Sequence, residues 1–124
     1  ANHFEENKDA MHCTDGFNLC MNGNNVDDHL RHGVVIENTY GSVVSGNMIE
    51  ECNGTAIILD RDAYGITLSA NVIAHHLGGG QAVAFFPPQG QEVVLVIFGQ
   101  VGNQSSPSYR LIGAPGMMVE IACL

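Results

Sequence analysis

Hydrophobic positions along this chain alternate with polar ones over short stretches, and each stretch ends at Asn or Gly. "AMHC" at 10–13, "GVVI" at 33–36 and "AIIL" at 56–59 are the most strand-like of them, each 23 residues from the next. Asn2, Asn24, Asn47 and Asn71 follow the same beat, at spacings of 22, 23 and 24. Two positions after them stand Phe4, Val26, Ile49 and Ile73. Phe17-Asn18, Tyr40-Gly41 and Tyr64-Gly65 form a further set, 23 and 24 apart. Asn and Gly tolerate left-handed backbone angles, so these pairs predict turns.

Period-two alternation with β-branched residues predicts strands, and the unit has no room for a helical stretch. Self-similarity at a period of about 20–50 residues marks a repeat architecture. Three short strands with tight turns per unit describe one coil of a parallel β-helix, with the next coil about 4.8 Å above. Met11, Val34 and Ile57 are then expected to point inward, as are Met21, Val44 and Leu68. Val35, Ile58 and Val43 are expected outside, and a contiguous apolar strip there would need a cover.

The stretch "HGVVIENTYGSVVSGNMIEECNGTAIILDRDAYGITLSANVIAHH" resembles the right-handed parallel β-helix repeat of pectate-lyase-like proteins. The resemblance covers about residues 1–77 and implies an all-β fold, a short right-handed parallel β-helix of about 3–5 coils of 22–24 residues. It also implies that the four Asn side chains stack into a hydrogen-bonded ladder. Residues 78–124 are expected to form an irregular final coil and capping strands of the same domain, with Gly90 at a turn and Asn103 near the ladder. Ala1 falls inside the repeat, so the expectation is a piece of a longer or processed chain.

Charge narrows the partners. The chain carries a net charge of −9, with eleven of its thirteen acids in residues 1–62. Such a surface repels phosphates and anionic lipids, so neither nucleic acid nor membrane is expected. No apolar run approaches the roughly 18 residues of a membrane span. Cys13, Cys20 and Cys52 fall in three different columns of the repeat. That is poor geometry for bridges between neighbouring coils and favours free thiols over disulfides.

The chemistry-bearing residues sit at the turns. Three and four positions after the repeated Asn stand Glu5 and Glu6, Asp27 and Asp28, Glu50 and Glu51. Like charges one coil apart repel, and a hard cation would relieve them, so Asp28 and Glu51 are candidate calcium ligands. A solvated polar turn face is the simpler alternative. His29, Cys52 and His76 share the next column and invite a soft-metal reading, which coil spacing disfavours. "LDRDAYG" groups Asp60, Arg61 and Asp62 as candidate catalytic residues, with carboxylates for acid–base work and an Arg to steer a sugar carboxylate. A turn held by a local Asp–Arg pair is the alternative. Tyr40 and Tyr64 are the candidate substrate-binding residues.

The resemblance implies a polysaccharide-binding or polysaccharide-processing protein, extracellular or periplasmic, and, if an enzyme, one like a polysaccharide lyase or glycoside hydrolase. The polygalacturonase-like signatures are absent from the sequence. A non-catalytic structural module that forms homo-oligomers is the alternative, suggested by the outward apolar positions.

Overall fold

The computed structural model describes residues 1–74, 83–86, 94–101, 110–111 and 118–123. All secondary structure in these residues is β-strand. In chain order the strands are β1 (His3–Glu5), β2 (Met11–Thr14), β3 (Cys20–Asn22), β4 (Asn25–Asp27), β5 (Val34–Glu37), β6 (Tyr40–Ser45) and β7 (Met48–Glu50). They continue as β8 (Ile57–Asp60), β9 (Tyr64–Ala74), β10 (Val83–Phe86), β11 (Val94–Val101), β12 (Arg110–Leu111) and β13 (Met118–Cys123).

Every pairing is parallel and joins a strand to its counterpart one coil later. One face runs β2-β5-β8-β10-β12, with Met11, Val34, Ile57 and Val83 in register. A second begins β3-β6-β9, with Met21, Val44 and Leu68 in register. A third begins β1-β4-β7-β9, with Phe4, Val26, Ile49 and Ile73 in register. β9 bends at Ala70 and serves both of the last two faces. Strands β10 to β13 keep the parallel order. Gly90 and Asn103 lie outside the described residues. The position one coil beyond Asn71 is occupied by Gly99, so the ladder residue is not repeated there. The sequence cannot reveal this, because an irregular spacing follows residue 77 and moves the register.

Inward residues from the three faces meet in one core. Val26, Val34, Ile36, Val44, Ile49, Ile57 and Leu59 are fully buried in it. Each such side chain contributes about 1.5–3 kcal/mol relative to exposure. Of the predicted outward apolar residues, Val35 is only 5% exposed. It stands between His12 and Ile58 of the neighbouring coils. Val43 is exposed but belongs to another face, and no contiguous strip joins the three.

What closes each coil is a set of four bends with positive φ. They form the columns Glu6/Asp28/Glu51, Asp15/Asn38/Arg61, Asn18/Gly41/Gly65 and Gly23/Gly46/Ala70. The last column precedes the ladder. Asn24 Oδ1 accepts both the backbone N–H and the side-chain amide of Asn2, each at 3.1 Å. Asn47 Oδ1 does the same for Asn24, at 2.9 and 3.0 Å, and Asn71 Oδ1 for Asn47, at 3.0 Å each. The Asn47 amide also donates to the Met21 carbonyl at 3.0 Å. The ladder implied by the resemblance is therefore present, linking Asn2, Asn24, Asn47 and Asn71.

Two substitutions test these bends. Asn47→Ala strips partners from buried groups of Asn24, Asn71 and Met21, and it should lower stability by about 3 kcal/mol in urea unfolding. Unchanged stability would remove the ladder from the account. Ala70 holds φ at 53° where its counterparts are Gly23 and Gly46. A left-handed Cβ costs about 1–2 kcal/mol, so Ala70→Gly should raise the melting temperature despite glycine's greater chain entropy. A lower melting temperature would contradict that.

Candidate functional site

The edge between the first and second faces collects most of the sequence-predicted site residues. In each coil the chain leaves a strand of the first face, turns at a left-handed residue, and enters the second face through an aromatic or its neighbour. Thr14, Glu37 and Asp60 end the strands. Asp15, Asn38 and Arg61 make the bend. Phe17, Tyr40 and Tyr64 come next, with Phe17 bridged to Tyr40 and Tyr40 in register with Tyr64. The sequence singled out Tyr40 and Tyr64. Phe17 completes the column and was legible in the same alignment.

The Phe17 and Tyr40 rings stack, 15° from parallel with centroids 6.1 Å apart. That exceeds the strand spacing of about 4.8 Å, so the two rings are offset and overlap only in part. Phe17 is 67% and Tyr40 41% exposed. Beside them Asn38 donates its side-chain amide to Asp15. Glu37 accepts from His12 Nε2 at 3.1 Å and from the Thr14 hydroxyl at 3.5 Å. The His12 bond, with Arg61 nearby, holds the Glu37 carboxyl below its usual range.

Asp60, Arg61 and Asp62 all lie on this edge. Arg61 occupies the left-handed bend with φ 57° and is exposed. Asp60 Oδ1 accepts the Arg61 backbone N–H at 2.7 Å. The bend is thus stabilised by carboxylate and backbone, and among the described residues the guanidinium of Arg61 forms no ion pair with Asp60 or Asp62. Asp28 and Glu51, the candidate calcium ligands, stand at another corner, both exposed and both left-handed. Among the described residues, the group able to hold an ion lies instead on the strands before that corner, at His3, Glu5 and Asp27.

His29 and Cys52 are structural. His29 is 1% exposed; its Nδ1 accepts the Asn7 N–H at 3.3 Å and its Nε2 donates to the Phe4 carbonyl at 3.1 Å. Both ring nitrogens are therefore committed. Burial pushes the Cys52 thiol up to about 11, so it stays protonated, a poor ligand and nucleophile. It donates to the Glu50 carbonyl at 3.6 Å. His76 lies outside the described residues. Cys13, Cys20 and Cys52 are free thiols.

A second polar column stands at the corner before the first face. The Asp9 carboxylate accepts from the Arg31 guanidinium and, at 3.0 Å, from the His32 N–H. The Arg31 bond holds Asp9 below its usual range. His32 Nδ1 in turn accepts the Thr55 N–H at 3.0 Å.

The stacked coils define the class: a parallel β-solenoid of about three turns with an aromatic and polar edge. The family model for the right-handed beta helix region matches residues 1–85, and the chain belongs to that family. No curated protein sequence and no solved structure matches the chain.

The His32 column predicts a pH dependence. Burial depresses the ring pKa below its ordinary 6.5, against the pull of Asp9. As pH falls through that ordinary value, the unfolded chain takes up the proton first, and folding stability falls until the folded ring also titrates. The urea midpoint should therefore drop between about pH 7.5 and about pH 5.5, and His32→Gln should flatten the drop. An identical slope in His32→Gln would rule the ring out.

Proposed function

We propose that this β-helix binds a polysaccharide along the edge carrying Phe17, Tyr40 and Tyr64. The observation that carries the reading is the pair of offset, solvent-facing rings of Phe17 and Tyr40. A sugar ring offers C–H groups to an aromatic face and hydroxyls to polar neighbours, and one such ring–aromatic contact removes substantial apolar area from water. Asp15, Asn38 and Arg61 supply acceptors and donors on the adjoining bend. Repetition at the coil spacing suits an extended polymer rather than a compact ligand. Asp15, Glu37, Asp60 and Asp62 outnumber Arg61 here, so the edge favours a neutral glycan over a polyuronate.

Binding is favoured over cleavage because Asp60 already serves the bend. Should the edge cleave its polymer, Asp62 is the carboxylate for acid–base work and Arg61 the group that would meet an oxygen of the substrate. A second reading, self-association, rests on the neighbouring outward residues Met48 and Val72, 45% and 38% exposed. Val35, expected outside but only 5% exposed, does not contribute to such a surface.

Affinity electrophoresis through neutral and acidic polysaccharides tests the proposal. The wild type should be retarded by a neutral glycan, and Phe17→Ala with Tyr40→Ala should weaken binding by about tenfold, in keeping with about 1–2 kcal/mol for lost aromatic contact. No retardation by any glycan, with a mass above one chain by light scattering that Met48→Lys reduces, would replace this reading by self-association. Appearance of new chain ends, abolished by Asp62→Asn, would add cleavage.

A further inference from the structure

We infer that His3, Glu5 and Asp27, with Asn25 beside them, form a site for a divalent transition cation of the zinc class. His3 and Glu5 lie two residues apart on β1, and Asn25 and Asp27 lie opposite them on β4. Strand alternation puts all four on the outer surface of the third face. One ligand atom each of His3, Glu5 and Asp27 lies within 4.8 Å of the others. Zinc bonds of about 2.0–2.2 Å place its ligands somewhat closer than that, a gap that side-chain rotation closes.

Unsatisfied oxygens supply the independent observation. Asp27 Oδ1 and Asn25 Oδ1 are both buried and accept no hydrogen bond. A buried carboxylate oxygen without a donor is costly, and a neighbouring amide oxygen in the same state doubles the oddity. Both are acceptors, so what they lack is a donor or a cation. The next coil adds to the demand, because Glu50 stands in register with Asp27 on the side away from Glu5. Among the described residues, no Lys or Arg pairs with Glu5, Asp27 or Glu50.

The donor set selects the ion. One imidazole, two carboxylates and an amide oxygen suit zinc, manganese or cobalt, whereas calcium takes six to eight oxygens and gains little from imidazole. Asn25, in register with His3 and with its Oδ1 unpartnered, is the fourth donor we assign. This site is separate from the glycan edge and stands or falls independently of it.

Zinc chloride titrated into the full chain, read by calorimetry and by melting temperature, is the test. One zinc per chain is expected, with a higher melting temperature in zinc and no comparable rise in equimolar calcium. His3→Gln and Asp27→Asn should each weaken zinc binding by about tenfold or more, while Asp28→Asn, at the exposed corner next door, should bind as the wild type does. If Asp27→Asn does not fold, Glu5→Gln on an exposed side chain gives the same reading. Absence of stoichiometric binding overturns the inference. So does zinc binding that survives undiminished in the substituted chains, because the ion would then sit elsewhere.

Discussion

A coil that must close within 22–24 residues needs sharp bends, and at each bend the backbone leaves the strand ladder. Some peptide N–H groups beside the bends still reach a carbonyl of the neighbouring coil, as at Asp15, Asn18, Gly23 and Gly46, but others face that coil without one in line. A buried N–H left unpaired costs about as much as a lost hydrogen bond. In this chain a side chain from an adjacent coil repeatedly takes the carbonyl's place. Asn24, Asn47 and Asn71 do so at the ladder. His29 accepts from Asn7, Asp9 from His32, His32 from Thr55, Thr39 from Gly16 and Ser42 from Leu19. Strand pairing and core packing hold only because these corners are satisfied.

The same arrangement decides where function can lie. Inward positions are committed to the core, and many corner side chains are committed to backbone. Free chemistry is left on outward strand positions and on the corners whose side chains point to water. The aromatic edge occupies one such place and the His3–Asp27 group another. A buried imidazole such as His29, or a thiol such as Cys52, is thereby removed from the candidates, whatever its column suggests.

The sequence made the solenoid legible because one period carried three independent features: the Asn beat, the aromatic-turn pairs and the apolar strands. It made the aromatic column legible for the same reason. It could not separate the third from the fourth position after each Asn, since both hold acids. The structure assigns Asp27 to the end of a strand and Asp28 to a left-handed bend, and that single step of backbone decides which can share an ion with His3. The role of His29 was hidden because only Asn7, Phe4 and the ring together define it. Gly99 was hidden because the repeat loses its length after residue 77.

In-register stacking sets like residues of successive coils side by side, and a chain with so many acids must break that likeness. It does so at most corners by varying the partner. Asp15 meets Asn38, Asp9 meets Arg31, and Glu37 meets His12 across the diagonal. Each exchange turns a repulsion into a hydrogen bond. Likeness is kept in two columns, the exposed bend Glu6, Asp28 and Glu51 and the strand positions Glu5, Asp27 and Glu50 before it, and it is beside the second that the buried oxygens of Asn25 and Asp27 go unpartnered. The exposed acids of the bend can fan into water, whereas the buried oxygens beside them cannot, so it is in the strand column that an external positive charge adds most.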